Sequence, residues 1–319
     1  MPQASEHRNP ADMEGDVDKA FCPLIFGEAL FDHFPDGGKV LGGAPFNVAW
    51  HLQGFKARPL LVTAVGKDPE GDDILRRMDR WGMDTSCVQV HPTRPTGRVT
   101  AYIRGDEARY EIEARQAYDA ITVEKLPPLP ALDGTQLLSY GSLGLREETS
   151  AATLDFLKEG LDVPVLMDVN LRDPWWTPNG VARHLEGADW VKVNREEAGN
   201  LARLPVGEPG QLSAAAKTLR DRHRIGTLVV TMGREGAMAL GTEGEHWQAA
   251  PHLPEIVDPV GAGDAFNAVL ALGIHLRWPL DTTLGRAVEF AGELCQVQGA
   301  TSEDPELYSK HLRRWADAA

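Results

Sequence analysis

Short apolar runs alternate with amphipathic helical stretches through most of this chain, and that pattern fits a parallel sheet covered by helices. The runs at 21–27, 59–66, 136–140, 164–170, 190–194 and 227–232 read as strands, and residues 237–249 as a meander. Helices are expected at 45–54, 69–82, 264–276, 282–298 and 305–315. In the second of these, Pro69 and Glu70 stand at the start, and Ile74, Leu75, Met78 and Trp81 follow at helical spacing. A chain of 319 residues can bury one large α/β core of this kind.

The alternation breaks once. Between 97 and 113, Val99, Ala101 and Ile103 fall on one side and Arg98, Thr100 and Tyr102 on the other. A turn at Gly105-Asp106-Glu107 then leads to Tyr110 and Ile112, the pattern of a hairpin. Because it interrupts the strand–helix order, the hairpin is expected to stand off the main sheet as a small lid. Residues 1–20 are polar and acidic and are expected to form a disordered leader ahead of one domain over 21–319.

The formal net charge of -15 argues against non-specific nucleic-acid binding, although a local anion site can still exist in an acidic protein. No apolar run reaches the roughly 18 residues of a membrane span. Cys22, Cys87 and Cys295 are far apart and lack metal-ligand spacing, so a reducing cytoplasm is the expected compartment.

Near the C-terminus, Ile256-Val257-Asp258-Pro259-Val260 passes through Gly261-Ala262-Gly263 into a helix that begins with Asp264-Ala265-Phe266. The glycines allow a tight turn, and the helix points free N–H groups and the positive end of its dipole back at that turn. Such a turn attracts an anion, most naturally phosphate. Asp264 then adds a carboxylate that the dipole is expected to keep ionised, and a base beside a phosphate cradle suggests phosphoryl transfer to an alcohol. The same residues also make an ordinary helix start with Asp264 as a cap.

Three separated motifs decide between these readings. Gly27-Glu28-Ala29-Leu30-Phe31-Asp32 precedes Gly42-Gly43-Ala44-Pro45-Phe46-Asn47, Asp168-Val169-Asn170-Leu171-Arg172 precedes Asn194-Arg195-Glu196-Glu197, and Asp258 to Phe266 comes last. In this order the chain resembles the PfkB-type, or ribokinase-like, carbohydrate kinases over nearly its whole length after residue 20. The resemblance implies a doubly wound, mostly parallel sheet with helices on both faces and a β lid. It implies Asp264 as the catalytic base, with Gly261, Ala262 and Gly263 as the anion hole. Asp32, Gly42, Gly43, Asn47 and Asn170 would face the sugar, and Arg172 would reach the transferred phosphate. Thr231 and Gly233 would lie near the nucleotide.

Asn194 and Glu197, at i and i+3, suit water-mediated Mg²⁺ and serve equally as a capping pair. Asp258 and the Val260 carbonyl match a monovalent-cation position, with Pro259 where the family more often has Thr, so potassium dependence is an open expectation. Lys192 reads as a snorkelling side chain. Neither a GxxxxGK[ST] loop nor an early GxGxxG fingerprint is present.

Gly43-Ala44-Pro45-Phe46-Asn47 resembles the fructokinase version of the sugar motif, and Glu28 points the same way. The expected reaction is ATP-dependent, Mg²⁺-assisted phosphorylation of a primary hydroxyl of fructose. Ketodeoxygluconate, ribose or a nucleoside is the alternative acceptor, and a non-catalytic sugar-binding regulator is the alternative of another class. A homodimer is expected, with the hairpins at or near its interface covering their apolar faces.

Overall fold

The structure is a computed structural model that describes residues 21–104, 107–253 and 255–317. The expected leader over 1–20, and Gly105 and Asp106 of the expected hairpin turn, lie outside the described residues.

Strand β1 (Pro23–Phe26) opens the main sheet; β2 (Leu30–His33) and β3 (Lys39–Gly42) turn away from it, and α1 (Ala44–Gly54) returns. Strand β4 (Leu60–Gly66), α2 (Pro69–Arg80) and β5 (Val88–His91) build one wing, before the hairpin of β6 (Gly97–Arg104) and β7 (Glu107–Ile112). The other wing runs through β8 (Leu137–Gly141), α3 (Glu148–Gly160), β9 (Val165–Asp168), α4 (Pro178–Leu185), β10 (Trp190–Asn194), α5 (Arg195–Ala202), α6 (Pro209–His223) and β11 (Thr227–Thr231). The expected meander is the antiparallel pair β12 (Ala237–Gly241) and β13 (Gly244–Gln248). Helices α7 (Ala262–Leu276), α8 (Leu280–Leu294) and α9 (Pro305–Asp317) follow.

The main sheet has the order β13-β12-β11-β10-β9-β8-β1-β4-β5 and is parallel except for β12 and β13. From β1 the chain winds first toward β5 and then, from β8, the opposite way. The reversal falls between β1 and β8, and the crevice at such a point is where open α/β sheets bind ligands. Strand alternation feeds a separate core on each face. Ile25, Leu61 and Val65 pack with Phe46, Phe266, Leu270 and Phe290 of α1, α7 and α8. Leu24, Phe26, Val62 and Leu138 pack with Leu154, Leu185 and Leu219 of α3, α4 and α6.

The lid is larger than the hairpin expected from sequence. It is a second sheet of order β3-β2-β6-β7, with β2 parallel to β6 and both of its neighbouring pairs antiparallel. Glu70 on α2 draws His33, Lys39 and Arg98 of this sheet to 3.0, 3.4 and 3.5 Å. Asp68, the N-cap of α2, accepts from Gly71 N at 2.8 Å and also from Thr96 N at 2.8 Å and Thr96 Oγ1 at 2.7 Å. One helix start therefore anchors the root of the lid.

The lid's apolar side faces its own chain. Val99 and Ala101 are both buried, Val99 in a small cluster with Leu30, Tyr118 and Leu143, whereas Tyr110 on the same side stays exposed. The uncovered hairpin face that motivated a homodimer is therefore largely filled from within. Among the described residues no helix is long and apolar enough to cross a membrane.

Candidate active site

A cleft of about 930 Å³ lies between the lid and the ends of β1, β8 and β9, at the winding reversal. Leu30, Asp32, Val99 and Tyr110 line it from the lid, Asn47 from α1, Asp168 from β9, and Gly261, Gly263 and Asp264 from the start of α7. Motifs more than 200 residues apart in sequence thus meet in one place, as the 217-residue separation of Asn47 and Asp264 shows.

The Gly-Ala-Gly turn depends on its glycines. Gly261 has φ +82°, and a Cβ there would lie 2.5 Å from Ala300 Cα. The Ala265 and Asp264 amides donate back to Gly261 O at 2.9 and 3.0 Å, and the Ala262 amide to Pro259 O at 3.3 Å, so part of the expected anion hole is engaged in shaping the turn. Gly263 is exposed toward the cleft.

Asp264 Oδ2 accepts a 2.7 Å hydrogen bond from Asn47 Nδ2. Its pKa is raised to about 6, chiefly because the carboxylate is desolvated; Asn47 opposes the rise, Asp168 adds to it, and Lys192 and Arg172 oppose it. The expectation that the helix dipole would set its charge was therefore incomplete, since desolvation dominates. At neutral pH the group is still mostly a carboxylate, with a proton affinity suited to general base work.

In the segment expected to face the sugar, Gly42 stands beside Asp32, and a Cβ at that position would lie only 3.3 Å from Asp32 Oδ2. Gly43, which also lines the cleft, has φ +104°, and a Cβ there would fall 2.6 Å from Glu28 O, so close backbone packing also requires this glycine. Desolvation raises the pKa of Asp32, and Arg172 across the cleft opposes that rise. Asn170, in the left-handed region at φ 43°, and Arg172 both line the cleft.

Lys192, read from sequence as a snorkelling side chain, is buried under the site. Its Nζ donates to both oxygens of Asp168 at 2.8 Å and would lie 3.6 Å from a Cβ at Gly263. Burial works against the ammonium, but Asp168, Glu197 and Asp264 together hold its pKa above the ordinary lysine value. A cation thus sits beside the Gly-Ala-Gly turn. The available signal was its place two residues before Asn194, on a strand ending at the cleft side of the sheet.

Asn194 and Glu197 form a reciprocal cap: Asn194 Oδ1 accepts from Glu197 N at 2.9 Å and Glu197 Oε2 from Asn194 N at 2.8 Å. Glu197 Oε1 also accepts from Leu171 N at 2.7 Å, which ties α5 to the loop bearing Asn170 and Arg172. Thr231 pairs in register with Asn194, and Gly233 comes two residues after it; none of these four residues is among those lining the cleft. Asp258 is a staple, with Oδ1 accepting from Val260 N at 3.0 Å and Oδ2 from Gly299 N and Gln298 Nε2 at 3.0 Å. Val260 is exposed at the cleft rim.

Residues 19–307 match the model of the pfkB family carbohydrate kinases. The chain belongs to that family. Among curated relatives, the bifunctional protein HldE of Trichlorobacter lovleyi is 27% identical over 83% of this chain and 53% of its own length. This chain therefore spans about half the length of that relative. A fructokinase of Klebsiella pneumoniae is 30% identical over 86% of this chain and 91% of the relative. The crystal structure of a fructokinase with bound ATP from Xylella fastidiosa superposes with a TM-score of 0.78 at 20% identity, covering 93% of this chain and 98% of the other. It shares the ribokinase-like fold expected from the motifs.

Proposed function

We propose that this carbohydrate kinase transfers the γ-phosphate of ATP to a primary hydroxyl of fructose. The observation that carries the reading is the Asn47–Asp264 hydrogen bond of 2.7 Å, which joins the sugar-side motif to a carboxylate at the phosphate-side turn. Asp264 takes the proton of the attacking hydroxyl while Asn47 holds the carboxylate in place. Asp32 and Asn170 orient the sugar. Arg172, Lys192 and the Gly263 amide lie where charge develops on the transferred group, and the lid excludes water from it.

Mg²⁺ entering with the nucleotide fits this site through its waters. Both Glu197 oxygens already accept a backbone amide, so direct coordination does not suit them, but each retains a lone pair for a water of the ion's shell. Asn194 and Glu197 would hold the ion there, and its charge would offset that of the phosphates. Thr231 and Gly233 would border the nucleotide. Asp258 accepts from three N–H donors and, like Glu197, keeps acceptor capacity, so a monovalent cation at Asp258 and the Val260 carbonyl is compatible with the reading, which does not depend on it.

Fructose is favoured over other acceptors by the Gly43-Ala44-Pro45-Phe46-Asn47 motif and by the likeness to the fructokinase of Klebsiella pneumoniae. A coupled ADP-release assay over a panel of sugars, ribonucleosides and ketodeoxygluconate tests it. Fructose should give the highest kcat/KM; another acceptor well ahead of it would contradict the assignment, and no acceptor-dependent ADP release at all would contradict the kinase reading.

A further inference from the structure

Two buried acceptor atoms at the inner end of the cleft have no protein partner: Glu28 Oε2 and Asn47 Oδ1. Both residues are only 4% exposed, and both line the cleft. An unpartnered buried carboxylate oxygen is costly, and natural sites keep one where a ligand supplies the missing donor. Asn47 is accounted for by its bond to Asp264 and its expected contact with sugar. Glu28 has no role in the chemistry described above.

Its position is set by the fold. Glu28 follows β1 at the winding reversal, and its carboxylate is approached by its own amide and by that of Ala44, the first residue of α1. Arg146, which interacts electrostatically with Glu28, is held by a buried ion pair with Asp119 at 2.7 Å and placed over the rings of Trp175 at 4.3 Å and Tyr118 at 5.1 Å. Glu28, Asp264 and Arg172 all line the same cleft.

We propose that Glu28 is a specificity-determining residue, with Oε2 accepting a hydrogen bond from a sugar hydroxyl other than the one phosphorylated. The proposal rests on the kinase reading above. A site built to receive a hydroxyl discriminates strongly against the analogue that lacks it, because its own polar group is then left unpaired. A carboxylate acceptor in particular selects a polyol over an acceptor that presents a carboxylate of its own at that position.

The test uses the full chain with the best acceptor from the sugar panel and its single-deoxy analogues, comparing wild type with Glu28→Met and Glu28→Gln. Met keeps the length of Glu and removes the acceptor; Gln restores an acceptor without charge. We expect Glu28→Met to lower kcat/KM for the sugar by about ten- to a hundredfold with the ATP KM unchanged, and Glu28→Gln to recover part of it. The loss should vanish on the one deoxy analogue that lacks the contacted hydroxyl. Equal losses on every analogue, or matched changes in the sugar and ATP KM values, would overturn the proposal. If Glu28→Met fails to fold, as judged by its thermal transition with and without ATP, Glu28→Gln carries the test through the ratio of parent sugar to deoxy analogue. That ratio should fall for one analogue only, and an unchanged ratio for all would overturn the proposal. Absence of wild-type turnover on the whole panel would instead remove the kinase reading, a result distinct from active wild type with indifferent variants.

Discussion

Removing the Asn47 side chain should move the pH dependence of the reaction, not only its rate. Asn47 Nδ2 lies 2.7 Å from Asp264 Oδ2 and stabilises the charged carboxylate, opposing the desolvation that raises its pKa to about 6. A hydrogen bond to a charged group contributes about 1.5–3 kcal/mol, and 1.36 kcal/mol corresponds to one pH unit, so Asn47→Ala should displace the acid limb upward by about one to two pH units. The sign follows from the role of the group. Without Asn47 the proton is held more tightly, the base form is lost at a higher pH, and activity that wild type retains near neutrality is lost in the variant. At alkaline pH both proteins have Asp264 ionised, and the gap narrows. The assay is kcat/KM for the acceptor sugar by coupled ADP release across about pH 5 to 9. Because Asn47 also lines the cleft proposed to bind the sugar, a uniform drop at every pH is expected on top of the displacement. A uniform drop alone, with the limb where wild type has it, would refute the electrostatic argument.

Asp32→Ala should raise the sugar KM about thirtyfold, from loss of about 2 kcal/mol, while the ATP KM stays nearly constant; parallel changes in both would make Asp32 structural. Gly261→Ala should cost at least about 1–2 kcal/mol and lower the Tm, since φ is +82° and the new Cβ would meet Ala300 at 2.5 Å; a wild-type Tm with wild-type rate would mean that the turn is not as drawn. Lys192→Met leaves Asp168 as a buried, unpaired carboxylate and should destabilise the fold by about 3–5 kcal/mol, with partial recovery in the Lys192→Met, Asp168→Leu double variant. Chemical denaturation reads this, and equal stability of the single variant and wild type would contradict the pairing.

Most of the main sheet was legible because its strands are continuous apolar runs between recognisable helix starts, as at Asp68-Pro69-Glu70, whereas its edge strand β5, Val88-Gln89-Val90-His91, is short and half polar and was not among the expected strands. Strands β2 and β3 were not, because each has four residues and the first of them, Leu30-Phe31-Asp32-His33, carries a binding motif that masks its strand pattern. Local chemistry marked Asp264, whose turn and helix start are contiguous in sequence. Lys192 was missed because its partner Asp168 lies 24 residues away on another strand, and nothing in either segment alone reveals a buried pair. For Asn194 and Glu197 the sequence left metal binding and capping open, and the structure shows the cap. That the chain itself covers Val99 was not legible, because this is a tertiary event that involves Leu30, Tyr118 and Leu143 from three other segments.

The central claim is that Asp264 is the base for phosphoryl transfer in the cleft at the start of α7. Single-turnover and steady-state ADP release by Asp264→Asn, alongside ATP binding measured by calorimetry, tests it most directly. The amide keeps the shape and an acceptor for Asn47 but cannot take the proton, so turnover should fall by about a hundredfold or more while ATP binding and the Tm remain close to wild type. Turnover within about threefold of wild type would contradict the claim, because loss of a general base typically costs at least about a hundredfold.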